Sequence, residues 1–304
     1  METQPSRTLL VTGASGHLGR RVVELLLEAR AGRIVATTRT PEKLSDLAAR
    51  GAEVRRADFE DRASLGNAFA GAGRMLLIST DALDKPGRRL KEHLAAVEAA
   101  AQAGVQHIVY TSMPHPAESP IFFAADHKGT EEALQAGALS WTVLRNNWYA
   151  DFLLFSLPAA VAKGQLFSSA GDGGAAYVTR EDCARAAVAA LVSGDTSRKV
   201  VNITGPAVMG FAELARIASE ISGRSVSYVR LAPEALKEAL LKAGMPALFA
   251  EIRLQSELAM AKGLMGPASG GVLELTGRKP ASVSEFLGTQ RSALLSQVEA
   301  ASPR

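Results

Sequence analysis

The sequence predicts an α/β fold with a doubly wound parallel sheet, and three observations support this prediction. The composition is that of a globular protein, with 304 residues, of which 47% are hydrophobic and 21% charged. Short apolar runs alternate with amphipathic segments over the first 150 residues, and a glycine-bearing turn follows the first run. Continuous apolar strands that alternate with helices indicate a parallel sheet covered on both faces.

The sheet elements follow from these patterns in order. The apolar run at 8–12 predicts the first strand, and the periodic segment from Leu18 to Leu27 predicts the first helix. Further strands are expected at 33–38, 52–56, 74–79, 106–111 and 140–145, with helices at 41–50, 61–70, 88–103 and 126–136. This alternation is typical of βαβ units.

After Arg145 the pattern changes, which predicts a second, smaller lobe. An aromatic, Leu-rich stretch runs to Ala162, and a loop rich in Gly and Ser follows. A helix at 180–193 and a strand at 198–203 precede helices at 210–222 and 233–262, with one strand at 225–230. We therefore expect residues 1–150 and 176–204 to form the sheet domain, and residues 151–175 and 205–304 to form a mostly helical lobe over its carboxyl edge.

Several classes of protein are disfavoured. The single cysteine, Cys183, cannot form an intramolecular disulfide and is expected in the core, and the five histidines lack metal-ligand spacing, so no metal site is expected. A net charge of +3 with scattered basic residues does not favour nucleic-acid binding. The longest uncharged segment, 99–117, is too polar for a membrane span, and the N-terminus does not resemble a signal peptide. These features predict a cytoplasmic protein.

The glycine turn predicts a nucleotide site. Gly13, Gly16 and Gly19 lie between a strand and a helix with the spacing G-x-x-G-x-x-G. Glycine permits a tight turn, a close approach of backbone N–H groups to a pyrophosphate and close packing of helix on strand. The glycines alone would fit an ordinary βα turn, but the strand before them and the helix after them favour a Rossmann-type dinucleotide site.

Two residues at the ends of later strands bear on the choice of cofactor. A site selective for NAD normally has an acid about 20 residues beyond the glycines. This chain has Arg39 there, which suits a 2′-phosphate and favours NADP(H) over NAD(H). The alternative is a solvated arginine. Asp58, after the third strand, is expected either to contact adenine or to cap a helix.

The sequence lacks a proton relay for simple ketones. None of the four tyrosines has the lysine of a Tyr-x-x-x-Lys pair four residues later, and a G-x-S-x-G elbow is also absent. A reductase of this kind needs an acceptor that takes hydride without a strong protein acid. Quinones fit because their added charge is delocalised, and cationic dyes fit too.

With these residues, the chain resembles the NmrA-like branch of atypical short-chain dehydrogenases. Within it, the chain is most similar to bacterial type 2 NAD(P)H:quinone oxidoreductases and their triphenylmethane-dye-reducing relatives. The matching segments are TGASGHLG at 12–19, the strand end at Arg39, LLIS at 76–79, YTS at 110–112, LRNNWY at 144–149, AGDG at 170–173, TRED at 179–182 and TGRKP at 276–280.

The resemblance implies a set of site residues. The pyrophosphate would be wrapped by the turn from Gly13 to Gly19, which is made of Gly13, Ala14, Ser15, Gly16, His17, Leu18 and Gly19, and Arg39 would meet the 2′-phosphate. Further cofactor contacts are implied for Ser79, Thr80, Asn146, Gly171 and Asp172. Two catalytic candidates complete the set. His127 lies where plant isoflavone reductases carry a catalytic lysine, and the alternative is a packing role. Asn147 would hold a quinone oxygen or fix the turn after the sixth strand.

An aromatic cluster supplies the expected acceptor slot. Aromatic residues make up 5% of the chain, yet five of them lie between 141 and 155. Trp148 and Tyr149, with Phe152, are expected to wall a slot for a planar acceptor, while Trp141 and Phe155 are expected in the core.

The predicted function is therefore an NADPH-dependent reductase of a quinone or a similar planar acceptor. The alternatives are a redox sensor of the NmrA type, which binds NAD(P) without turnover, and a reductase of cationic dyes. The sequence leaves a homodimer open.

Overall fold

A parallel sheet of seven strands forms the centre of the protein. The computed structural model describes residues 8–301, with side chains through residue 297. Eleven strands occur in the described residues, seven of them in this sheet; in chain order they are β1 (Thr8–Val11), β2 (Arg33–Thr38), β3 (Glu53–Arg56), β4 (Arg74–Leu77), β5 (His107–Ser112), β6 (Ser140–Asn146), β7 (Gln165–Ser168), β8 (Gly174–Ala175), β9 (Lys199–Ile203), β10 (Met209–Gly210) and β11 (Ser227–Arg230). The order across the main sheet is β3-β2-β1-β4-β5-β6-β9, and every neighbouring pair is parallel. The predicted doubly wound sheet is confirmed.

Helices cover both faces of this sheet. In chain order, the α-helices of the described residues are α1 (His17–Glu28), α2 (Ser45–Ala49), α3 (Arg62–Phe69), α4 (Arg88–Gln102), α5 (Ala124–Ala136), α6 (Leu157–Lys163), α7 (Arg180–Val192), α8 (Phe211–Ser222), α9 (Pro233–Lys242), α10 (Ala247–Ala261), α11 (Gly271–Thr276), α12 (Val283–Thr289) and α13 (Arg291–Ala301). Alternate strand residues face opposite sides: Leu9 and Val11 pack with α1 and α7, whereas Leu10 packs with α3 and α4. The sheet therefore has two apolar cores, one on each face.

A third apolar core lies in the second half of the chain. It joins α6, α8, α10, α12 and α13 with two small sheets, the parallel pair β7–β11 and the antiparallel pair β8–β10. One short helix of this half behaves differently, because Val272 of α11 packs with the core of α1 and α7. The division into two domains at residues 150, 176 and 204 stays a prediction.

One predicted helix and one predicted core position differ from the structure. The helix expected at 233–262 is two helices, α9 and α10, because Gly244 adopts a left-handed φ of 84° and Pro246 precedes α10. The segment Ala150–Phe155 is a 3₁₀ helix. Its period of three residues buries Ala150 and Leu153, so Phe155 points outward.

The expected core residues divide accordingly. Phe155 is 76% exposed, so its predicted place in the core is wrong. Trp141 and Cys183 are buried, as predicted. No helix within residues 8–301 combines the length and apolar character needed to span a bilayer.

Helix α1 approaches the turn after β1 more closely than a side chain allows. A Cβ atom on Gly19 would lie 2.4 Å from the carbonyl oxygen of Gly13 and 2.9 Å from the Cα of Ala14. The atoms that the added Cβ would meet belong to the backbone of the turn, so they cannot move aside as a flexible side chain could. Glycine at position 19 is therefore a packing requirement.

Gly19→Ala is expected to lower the free energy of unfolding by about 1–3 kcal/mol, because the added methyl group overpacks the contact between α1 and the turn. Urea unfolding of the protein without ligand measures this change. Gly66→Ala is the matched control. Gly66 is exposed inside α3 with no atom near its Cβ position, so alanine there should raise stability by about 0.5–1 kcal/mol. Equal effects of the two substitutions would contradict the prediction.

Candidate functional site

The carboxyl ends of β1 and β4 meet where the winding of the sheet reverses. Ligands of doubly wound sheets bind in the crevice at this point. Thr12 ties the two strands together, because its hydroxyl donates to the carbonyl of Leu76 (3.2 Å) and accepts from the N–H of Ile78 (2.9 Å). The spacing of the crevice is thereby held by a buried side chain.

The glycine turn lies at one side of this crevice. Gly13 adopts a left-handed φ of 60°, and Gly16 occupies the N-cap of α1. No side chain caps this helix, and its first turn contains no acid. Ala14, Leu18 and Gly19 are buried, whereas Ser15, Gly16 and His17 are exposed. An uncapped N-terminus with a positive dipole suits an anion such as a pyrophosphate.

Arg39 and Asp58 follow the two outer strands of the same edge. Arg39 is exposed at the end of β2 and has no hydrogen bond or ion pair with the residues described. Asp58 accepts from the N–H of Glu60 (3.1 Å) and lies 3.6 Å from Arg56. The cap of α3 is Asp61, which accepts from the N–H of Ser64. The helix-cap alternative for Asp58 is therefore wrong, and its contact with adenine stays a prediction.

The end of β4 carries a buried oxygen without a partner. The N–H of Ser79 donates to the hydroxyl of Thr111 (2.9 Å), and the N–H of Thr80 donates to Nε2 of His93 (3.0 Å). The hydroxyl of Thr80 is buried and has no hydrogen-bond partner within the described part of the chain.

The end of β6 carries another such oxygen. The Oδ1 atom of Asn146 is buried without a partner in the described protein, while its Nδ2 donates to the Tyr149 hydroxyl (3.4 Å). Buried polar atoms are normally paired, so an unpaired oxygen at each of two strand ends fits a ligand with polar groups.

Asn147 is committed to the main chain. Its Nδ2 donates to the carbonyl of Met265 (2.9 Å), and its Oδ1 accepts from the N–H of Trp148 (2.7 Å). Because both ends of the amide are used, the geometry favours the turn-fixing alternative over a contact with a quinone oxygen.

The loop at 171–173 is tied to β11. Gly171 adopts a left-handed φ of 61°, and its carbonyl accepts from the Tyr228 hydroxyl (2.9 Å). Asp172 is exposed and forms an ion pair with Arg230 of β11. The cofactor contacts of both residues stay predictions.

The aromatic residues after β6 form a partly exposed wall. The ring of Phe152 lies 5.4 Å from that of Trp148 and 5.5 Å from that of Tyr149. The guanidinium of Arg180 lies over the rings of Tyr149 (5.3 Å) and Phe152 (5.0 Å), and Asp151 accepts from the N–H of Arg180. Arg180 was not among the predicted site residues, although the TRED segment contains it.

His127 belongs to a buried polar cluster between β5, α4 and α5. Its Nδ1 lies 2.9 Å from the Tyr110 hydroxyl, and its Nε2 lies 3.0 Å from Nη2 of Arg89. Nδ1 of His93 lies 2.9 Å from the hydroxyl of Thr130. Sequence reasoning did not predict the contacts of Arg89, His93 and Tyr110, because they join residues far apart in the chain; Tyr110 entered only through the YTS segment of the resemblance.

The two histidines and the tyrosine of this cluster are held in their neutral forms. Burial, followed by the charge of Arg89, lowers the pKa of His93 to about 3 and holds the pKa of His127 well below its ordinary value. Burial also raises the pKa of the Tyr110 phenol. Neither histidine is protonated at neutral pH, and the phenol keeps its proton, so the cluster is poorly suited to acid catalysis.

Comparisons with known sequences agree with this geometry. A family model described as NAD(P)H-binding matches residues 13–193. Quinone oxidoreductase 2 of Escherichia coli (strain K12) is 35% identical over 278 residues, which cover 91% of this chain and 96% of that protein. NAD(P)H azoreductase of Xenophilus azovorans is 27% identical, with 94% of this chain and 98% of that protein covered.

Solved structures extend the similarity to both halves of the chain. An NADPH-dependent quinone oxidoreductase of Escherichia coli complexed with NADPH has a TM-score of 0.88 at 35% identity, covering 93% of this chain and 99% of that one. The Citrobacter sp. triphenylmethane reductase complexed with NADP(H) has a TM-score of 0.86 at 36% identity, with the same shares covered.

His93→Gln is expected to weaken the dependence of stability on pH. Between pH 6.5 and the folded pKa of about 3, the unfolded chain binds a proton at His93 that the folded protein does not bind. The contribution of His93 to the free energy of unfolding is therefore fully present above pH 6.5 and decreases as the pH falls toward the folded pKa. The substitution should reduce this slope by about 1 kcal/mol per pH unit between about pH 6 and pH 5.

Urea unfolding of the protein without ligand over that pH range measures the slope. His17→Gln is the control, because it replaces a histidine at an exposed position. An unchanged slope in His93→Gln would show that His93 is already protonated in the folded protein.

Proposed function

The chain belongs to the NAD(P)H-binding family, and on that premise we propose that it is an NADPH-dependent reductase of quinones or similar planar conjugated acceptors. The relatives it matches support the class of reaction. They are named as a quinone oxidoreductase, an azoreductase and a triphenylmethane reductase, and all three names refer to conjugated acceptors.

The proposed cofactor fits the residues at the carboxyl edge. The N-terminus of α1, which no described side chain caps, would hold the pyrophosphate, and Arg39, which has no partner among the described residues, would bind the 2′-phosphate. Two buried oxygens that lack partners among the described residues would form hydrogen bonds nearer the nicotinamide. The Thr80 hydroxyl could donate or accept such a bond, and Oδ1 of Asn146 could accept one. When bound, NADPH supplies a hydride to the acceptor.

The neutral cluster around His127 is the observation that carries the proposal. Reduction of a simple ketone requires a proton from the protein, and a buried neutral histidine and a phenol with a raised pKa supply it poorly. A quinone avoids this requirement, because the charge left by hydride transfer is delocalised and water can protonate it. The protein then has only to bind the acceptor and orient it against the cofactor. This is the role proposed for Trp148, Tyr149 and Phe152.

The purified protein is expected to oxidise NADPH when a neutral benzoquinone or naphthoquinone is present. The loss of NADPH absorbance under steady-state conditions measures the rate, with acceptor-free protein as the control. Tight NADPH binding by calorimetry without turnover of any quinone or dye would contradict the proposal and favour the sensor alternative.

Arg39→Ala is expected to weaken NADPH binding by about tenfold to hundredfold, because a charge-assisted contact with the 2′-phosphate is lost. NADH binding should change little, since NADH lacks that phosphate. Calorimetry with both cofactors measures the preference. Arg216→Ala is the control, because Arg216 is paired with Glu213 and Glu220 on α8. An unchanged preference in Arg39→Ala would show that another residue selects the cofactor.

A further inference from the structure

Arg89 is a buried cation at the carboxyl edge of the sheet. It lies in the first turn of α4 and is only 6% exposed. Its guanidinium faces the ring of Phe123 at 4.9 Å and reaches His127 through Nη2. A buried guanidinium normally has a carboxylate partner, because an isolated buried charge is costly.

No carboxylate pairs with Arg89 in the part of the chain that the structure describes. Its Nε is buried without a hydrogen-bond partner there. The acids around it, Asp81, Glu92 and Asp126, act on it at longer range, and Glu92 is already paired with Arg88 (3.0 Å). Arg89 therefore has acids in its neighbourhood but no carboxylate that forms an ion pair with it among the described residues.

The contrast with Arg145 makes the point sharper. Arg145 also lies near this edge, and both oxygens of Glu131 accept its hydrogen bonds, at 3.0 and 2.6 Å. Arg145 is thus paired with a carboxylate at this edge, whereas Arg89 has no such pair among the described residues.

Arg89 also determines the proton position on His127. A guanidinium only donates, so Nε2 of His127 must accept, and the neutral ring carries its proton on Nδ1. That proton is donated to the Tyr110 hydroxyl. His127 is therefore oriented as a neutral ring whose two nitrogens are both occupied.

The charge of Arg89 lies at a proposed site residue, because its Nη2 is 3.0 Å from Nε2 of His127. The ring of Phe123, which the guanidinium faces, and Trp148 of the aromatic wall both pack against the third apolar core. The N–H of Thr80 binds His93, one helical turn after Arg89 on α4, so the charge also borders the end of β4. An acceptor between the wall and the strand ends would lie within the field of Arg89.

We propose that Arg89 is a specificity-determining residue that selects neutral and anionic conjugated acceptors over cationic ones. The inference rests on the proposed reductase function. A neutral quinone gains a hydride, becomes a hydroquinone monoanion and takes a proton from water. A cationic dye starts with a positive charge that Arg89 repels, and it becomes neutral only after the hydride is added. The hydride comes from the reduced nicotinamide, which is left oxidised.

The test compares kcat/KM for a neutral naphthoquinone, a sulfonated naphthoquinone and a cationic triphenylmethane dye. In Arg89→Met, kcat/KM should fall for the sulfonated acceptor and rise for the dye, each by on the order of tenfold. Arg89→Lys keeps the charge and should keep the order found in the unmodified protein. Lys91→Met is the control, since Lys91 is exposed on the same helix, and it should leave the order unchanged.

A second measurement uses the unmodified protein, so its result does not depend on whether a variant folds. Because a buried charge is weakly screened, the preference of the unmodified protein should persist in about 0.5 M salt. Loss of the preference in salt, or an order in Arg89→Met equal to that of the unmodified protein, would overturn the inference. Failure of the unmodified protein to reduce any of the three acceptors would instead overturn the proposed function.

Discussion

A parallel sheet has to be covered on both faces, and this constraint determines where the protein can be chemically active. With helices on both sides, the strands are filled by apolar side chains, and Leu9, Leu10 and Val11 of β1 are all buried. Polar groups can then collect only where the strands end. Thr12, Arg39, Thr80 and Asn146 are separated widely in sequence, yet each follows or closes a strand of one edge. The crevice between β1 and β4 thus arises because the strand order of the sheet reverses between these two strands.

The polar cluster behind this edge is organised by donors at both of its ends. The backbone N–H of Thr80 and the guanidinium of Arg89 can only donate, so each histidine accepts at Nε2 and carries its proton on Nδ1. The cluster has one arrangement of protons, and burial keeps both rings neutral. The neutral histidines lie beside Arg89, which has no carboxylate partner among the described residues, so this part of the edge has a fixed positive charge instead of a titrating group.

The periodic features could be predicted from sequence, because a buried strand or helix leaves its pattern in neighbouring residues. The order of strands and helices and the glycine turn belong to this class. The exposed position of Phe155 could not be predicted in this way. The same apolar sequence fits a helix of period 3.6 and a 3₁₀ helix, and the two helices bury different faces. The contact of Arg89 with His127 joins α4 to α5, and nothing local records it. The role of Asn147 depended on Met265, which lies far along the chain.

The burial of Cys183 has a consequence for the proposed chemistry. Quinones are electrophiles that arylate thiolates, so a protein that binds them repeatedly is at risk of inactivation by its own acceptors. The chain contains one cysteine, which is fully buried in α7, and burial raises the pKa of its thiol well above the ordinary value. The thiol is thus both inaccessible and protonated. A quinone bound in the proposed slot would therefore meet no accessible thiolate among the described residues.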